Sequence, residues 1–366
     1  SRFSPLQFIG MNLFQSTGLP TPEAKRVQFQ LNGENQARND DTMRGSYVHL
    51  EPIGDEMIED KFPSDDRGNL YKKRSADPNR DEKRWGVHFE DNVRYDEANW
   101  YLTDDWTKLT NESQGDWDDL QQFVEVMHQA GGADYLQEVG AKVDIDQWVR
   151  WFAVMTILNS YETNLSNGID DDYSMYRGVT DQRFVLLPHD LDTIFGLGDT
   201  NSSPRSSIFP MLTANIPRQN EDGRIPQLAA FFAEPSIRKK YFAQLKNLLS
   251  NEFSKQAFDA RVQNFLGDWS TAGDISQIIS YMDERRNFIL DEIDPSLSAT
   301  TGLPVVSGFP RSTGSSVSLT GAYNLIDTVE VSIAGTKATL NPLAGTWSAE
   351  GIALVPGVNR LAIESI

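Results

Sequence analysis

The sequence predicts an α+β domain over residues 1–300 followed by a small all-β, Ig-like sandwich over 301–366. Strand-like alternation and helical patterning are mixed through the first part. After Asp294-Pro295 the composition turns to Ser, Thr, Gly and Val, with short alternating runs between Gly and Asn turns. Within the first part, the apolar run Phe184-Val185-Leu186-Leu187-Pro188 delivers two carboxylates, Asp190 and Asp192, at a loop that ends in Phe195-Gly196.

The elements follow in order. Residues 4–17 read as a helix, with Ser4 as N-cap, Pro5 in the first turn, an apolar stripe of Leu6, Ile9, Leu13 and Phe14, and Gly18 as terminator. Residues 27–31 alternate as a strand and pair antiparallel with 45–51 across a long polar hairpin, 34–44. A short helix over 56–62 and a strand over 69–72 come next. Residues 85–115 lack periodicity and read as surface loop. Residues 120–130 form an amphipathic helix, and Asp144 with Gln147 makes a capping box before the apolar run 148–158. Strands at 173–176 and 184–187 flank a turn at 178–181. The polar segment 198–223 reads as a functional lid or a disordered stretch, and helices return over 227–232, 237–249, 255–265 and 275–290. In the β-module, strands are expected at 317–320, 329–333 and 361–363. The chain opens at Ser1 without a methionine and closes in a strand-like run, so it reads as a piece of a longer protein with an incomplete module.

The chain carries 53 acidic and 33 basic residues, a net charge of −20. That balance disfavours nucleic-acid and anionic-lipid partners and favours cations. The absence of cysteine excludes disulfides, thiolate zinc sites and cysteine nucleophiles. His49, His88, His128 and His189 are too scattered for a zinc signature, and no stretch approaches the ~18 apolar residues of a membrane span.

Carboxylates at the mouth of an apolar strand require a cation, an arginine or a shared proton. Alternate strand residues share a face about 6.5 Å apart, so Asp190 and Asp192 can converge on one Mg²⁺. The plainer reading has Asp192 capping a turn and Asp190 in one salt bridge. Upstream, Glu162, Asp170, Asp171 and Asp172 join them within 31 residues, an arrangement that repels itself without cations. An ordinary acidic loop holding Ca²⁺ through Asp170, Asp171 and Asp172 is the competing account.

The order of these features resembles the spore-coat protein H type (CotH) atypical protein kinase family. A helix, an acidic-amide loop, Asp172-Tyr173-Ser174-Met175-Tyr176, a turn and Pro188-His189-Asp190-Leu191-Asp192-Thr193-Ile194-Phe195-Gly196 carry the resemblance. Gly18-Leu19-Pro20-Thr21-Pro22, Leu31-Asn32-Gly33, Gly45 to Glu51, Asn69-Leu70-Tyr71-Lys72 and Lys108 to Glu112 extend it over about residues 2–297. It implies an atypical protein-kinase-like fold and transfer of the ATP γ-phosphate to Ser or Thr of a protein acceptor, with Mg²⁺ or Mn²⁺. The setting it implies is a bacterial cell surface or extracellular, spore coat-like one.

On this resemblance Asp190, Asp192 and Asp172 hold the metal, and Glu162 and Asp190 are the catalytic candidates. Glu162 stands where members carry a Trp-Asp pair. Lys72, Glu51 and Asn164 contact or orient the nucleotide. Plainer roles compete: Glu51 pairs with Arg44, and Lys72 joins Lys73 and Arg74 in a solvated charge run. His189 stands where an aromatic residue is usual and reads as a packing and hydrogen-bonding residue. The family's first strands are missing upstream of Ser4. Two rivals remain: a catalytically weak surface binding or structural protein that keeps the fold and a metal, and a Ca²⁺-stabilised adhesion protein.

Overall fold

The computed structural model describes residues 4–37, 46–73, 106–128, 134–160, 172–198, 201–208, 226–267, 269–342 and 344–366. Its residues group into two compact units, Ser1–Arg286 and Asn287–Ile366.

The first unit opens with helix α1 (Ser4–Ser16), whose Leu6, Phe8, Ile9, Leu13 and Phe14 are all buried. Strand β1 (Ala24–Gln28) pairs antiparallel with β4 (Ser46–Leu50), Val27 opposite Tyr47. Between them β2 (Gln30–Leu31) and β3 (Glu34–Asn35) close a small hairpin at Asn32-Gly33, where both residues take positive φ. The rest of the expected long hairpin loop, 38–45, lies outside the described residues.

Helix α2 (Asp55–Lys61) leads to the principal sheet of the unit. Its strands β5 (Asn69–Lys73), β6 (Trp106–Lys108), β7 (Tyr173–Arg177) and β8 (Phe184–Pro188) lie in the order β6-β5-β7-β8, each neighbour antiparallel. The turn joining β7 to β8 is held from outside by Asp65. Its carboxylate accepts the amides of Val179 (2.8 Å), Thr180 (2.9 Å) and Asp181 (2.9 Å).

Helices pack around the sheet. Helices α3 (Asp118–His128) and α4 (Tyr135–Lys142) precede the central α5 (Ile145–Leu158), buried along nearly its whole length. Asp144 caps α5 by accepting the Gln147 amide at 3.1 Å. The Gln147 side chain does not return the favour as a capping box would. It bridges to β8, exchanging hydrogen bonds with both the amide and the carbonyl of Leu186. The Trp148 indole donates to the Phe184 carbonyl at 2.9 Å, so α5 and β8 are pinned at two adjacent points.

Helices α6 (Pro226–Ala233), α7 (Pro235–Ser250), α8 (Lys255–Leu266) and α9 (Ala272–Ile293) complete the helical part. Arg285 on α9 is 1% exposed and donates to the carbonyls of Thr156, Pro204 and Ser206. With Tyr281 and Asn159, which bind Ser202 and Ser203, it fastens the Ser-Pro segment after the Asp-Leu-Asp motif to the end of α5. The expected free loop is therefore anchored over 201–208, while 209–225 lies outside the described residues.

In the second unit, hairpin β9 (Val305–Val306) and β10 (Phe309–Pro310) precedes two three-stranded antiparallel sheets. One is ordered β11 (Ser316–Ala322), β15 (Thr346–Ala353), β14 (Thr339–Asn341); the other β13 (Thr336–Lys337), β12 (Val331–Ile333), β16 (Ile363–Ser365). They share one core around Trp347, Val331, Ile333 and Tyr323.

Candidate functional site

The site is built where β5, β7 and β8 end together. Strand β8 is apolar and buried at Phe184, Leu186 and Leu187, and it stops at Pro188. The ladder to β7 pairs Tyr173 with Pro188 and runs one step further, because the His189 amide donates to the Asp172 carbonyl at 2.9 Å. Asp190 then takes φ +35, a left-handed turn that Asp tolerates better than most residues, and the strand direction breaks there.

After the break, apolar side chains hold the loop. Leu191 and Ile194 are fully buried and Phe195 is 1% exposed, whereas Asp190 and Asp192 on either side of the leucine are half-buried. Leu191 rests on α1 at Gly10, where a β-carbon would stand 2.8 Å from that of the leucine. The Phe195 amide donates to the Leu158 carbonyl at 2.9 Å, which ties the loop to the C-terminus of α5. Asp192 accepts the Thr193 hydroxyl at 3.1 Å.

Lys72 reaches this corner from β5, where it lies opposite Ser174 of β7. Its Nζ is 3.0 Å from Nε2 of His189, and the other ring nitrogen, Nδ1, is 3.8 Å from Oδ1 of Asp172. The structure thus brings Lys72, His189 and Asp172 together, one residue before Asp190 in the chain. Asp172 itself is 8% exposed.

Glu51 is not brought to Lys72. At the end of β4 its Oε2 accepts the Glu23 amide at 2.9 Å and lies 3.7 Å from Lys61 Nζ. Helix α2 begins directly after the strand and carries Lys61 back to the acid, a partner nearer in the fold than the expected lysine. The charge-run account of Lys72 is also corrected for its neighbour. Successive strand side chains point to opposite faces; Lys73 is 1% exposed, with its ammonium 5.4 Å from the centre of the Trp106 ring. Glu162, Asn164, Asp170 and Asp171 lie outside the described residues.

His189, expected as a packing and hydrogen-bonding residue, has a polar partner in Lys72; the sequence offered no signal for which partner it would be. Among the described residues no three His, Asp or Glu side chains come together as a metal-ligand set.

The family model described as CotH kinase protein matches residues 9–272, from within α1 to the start of α9. Inner spore coat protein H of Bacillus subtilis (strain 168) is 24% identical over 270 residues, which cover 69% of this chain and 61% of that protein. The chain therefore spans about 61% of the length of the curated relative it matches. With the family model covering well over half of its length, the chain belongs to the CotH kinase protein family.

Proposed function

We propose that this protein is a divalent-metal-dependent phosphotransferase that moves the γ-phosphate of ATP to a Ser or Thr hydroxyl of a protein acceptor. The observation that carries the reading is the meeting of Lys72 with His189, which faces Asp172 and directly precedes Asp190 in the chain, at the shared end of three antiparallel strands. Phosphoryl transfer asks a protein mainly for positioning and for opposite charge around the phosphates. In the transfer the bond between the γ-phosphorus and the β,γ-bridging oxygen breaks, ADP leaves, and the acceptor oxygen bonds to phosphorus. The hydroxyl proton passes to a carboxylate, for which Glu162 is the candidate.

Mg²⁺ or Mn²⁺ would be held by Asp190 and Asp172, with Asp192 assisting, and would supply positive charge to the phosphate oxygens. A pair of carboxylates suits such an ion, which commonly takes one or two acidic side chains and completes its shell with phosphate and water oxygens. Lys72 would contact phosphate, and Asn164 the nucleotide. The relative's name, inner spore coat protein, supports a coat or cell-surface setting for this chain. Among the described residues no helix is long and apolar enough to cross a membrane.

The test is Asp190→Asn. Calorimetry with ATP and Mg²⁺ is expected to show binding to the unaltered protein and its loss in the variant, with unchanged circular dichroism. Phosphate incorporation into a Ser-rich acceptor, read by mass spectrometry, is expected to vanish with it. Equal affinities for the two proteins would remove Asp190 from the site.

A further inference from the structure

We propose that His189 is the positioning residue for Lys72, taking the place of the carboxylate that would otherwise aim it. The inference rests on the reading of Lys72 as the phosphate-contacting lysine. A lysine ammonium is a point charge on a flexible four-carbon stem, and it is useful to a phosphate only when something holds it in place. Glu51 is occupied by Lys61 and the Glu23 amide. The group that does meet Lys72 is the imidazole of His189, at 3.0 Å.

The chemistry of the two groups fixes the direction of that contact. An ammonium has three donors and no acceptor, so Nε2 must accept. The ring proton then sits on Nδ1, facing the Asp172 carboxylate at 3.8 Å. Backbone geometry fixes the ring as well: the His189 amide is bonded to the Asp172 carbonyl, so the imidazole hangs from an extension of the β7–β8 ladder. Lys72, His189 and Asp172 thus follow one another, the imidazole aiming the ammonium and the backbone bond to Asp172 holding the residue that carries the imidazole.

A neutral imidazole does something that a carboxylate cannot. It points the ammonium without cancelling its charge, so the full positive charge remains for phosphate. It also adds no negative charge to a corner that already holds Asp172.

The experiment uses the full chain with His189→Leu, His189→Gln, Lys72→Met and the Lys72→Met/His189→Leu pair. Calorimetry with ATP and Mg²⁺ is expected to show His189→Leu weakening binding about 10-fold, the scale of one hydrogen bond to a charged group. His189→Gln, whose amide both accepts and donates, is expected to restore most of it. In the Lys72→Met background, His189→Leu is expected to add no further loss. In transfer assays the effect is expected in KM for ATP more than in kcat. A readout independent of nucleotide is the ring ¹⁵N spectrum, in which His189 should show protonated Nδ1 and bare Nε2, with Nε2 shifting in Lys72→Met. Wild-type affinity in His189→Leu, additive losses in the pair, or an unmoved ring signal in Lys72→Met would each overturn the role of His189. A wild-type protein that binds no nucleotide would overturn the phosphotransferase reading and the positioning role with it.

Discussion

Replacing Gly178 by alanine tests how the β7–β8 hairpin is held. A β-carbon at residue 178 would stand 2.0 Å from Oδ2 and 2.5 Å from Cγ of Asp65. Neither approach is tolerable, so the carboxylate must leave the turn and give up the amides of Val179, Thr180 and Asp181. Hydrogen bonds to a charged group are worth about 1.5–3 kcal/mol each when shielded. These are open to water, so about 1 kcal/mol apiece is the better figure, or about 3 kcal/mol in all. Alanine recovers about 0.5 kcal/mol by restricting the unfolded chain. The net loss of about 2.5 kcal/mol corresponds to a fall of roughly 4 °C in Tm for a unit of this size. Urea denaturation of Gly178→Ala, Asp65→Ala and the double variant is the assay. Once Asp65 is alanine the obstacle is gone, so Gly178→Ala should then cost nothing. Additive losses, or a Gly178→Ala protein as stable as the parent, would refute the reasoning. The pH dependence gives a second check. Burial pushes the Asp65 carboxyl up, but the amides of Asp181, Thr180 and Val179 outweigh it and hold the group below the usual carboxylate value. A depressed folded value means that the stabilisation is present above the unfolded pKa and lost as pH falls through the folded one. The advantage of the parent over Asp65→Asn should therefore shrink on acidification below the ordinary carboxylate range.

Two further outcomes follow from buried side chains. Arg285→Met leaves the carbonyls of Thr156, Pro204 and Ser206 without their donor and should cost about 3 kcal/mol; limited proteolysis should then cut within 201–207, and an uncut segment would show that other contacts hold it. Trp347→Ala empties the centre of the second unit and removes the donor to the Ser298 carbonyl. It should cost about 3–5 kcal/mol, with hydrogen-exchange protection lost through Asn287–Ile366.

Long elements with strong periodicity were legible in the sequence. The expected helix over 4–17 is α1, and the paired strands around 178–181 are β7 and β8. Strand β6, only three residues long, carried too little alternation to stand out from the tryptophan-rich text around it. Helix α4 was missed because eight residues offer barely two turns of pattern. In the second unit β14 and β15 escaped because Gly345 and Gly351 interrupt or bound the run that Trp347 anchors. At the site, the Asp-Leu-Asp motif announced itself by contrast with the apolar strand before it. Partner choice did not, because Glu51 and Lys72 compete for contacts that only the assembled β4–α2 corner and β5–β7–β8 corner decide.

The glycine at residue 10 gives the Asp-Leu-Asp segment an unusual division of labour. Leu191 works as a peg in a socket on a helix some 180 positions earlier in the chain, and the socket has no room for a β-carbon. The anchoring force is burial of hydrocarbon, which is indifferent to whether the flanking acids are ionised, metal-bound or replaced. Scaffold and acidic side chains are therefore separable: the flanking positions can change their chemistry while the loop keeps its path. A lineage could exchange Asp190 and Asp192 for other residues and still inherit an intact fold, and a designer could install new side chains there by leaving the peg and its socket alone.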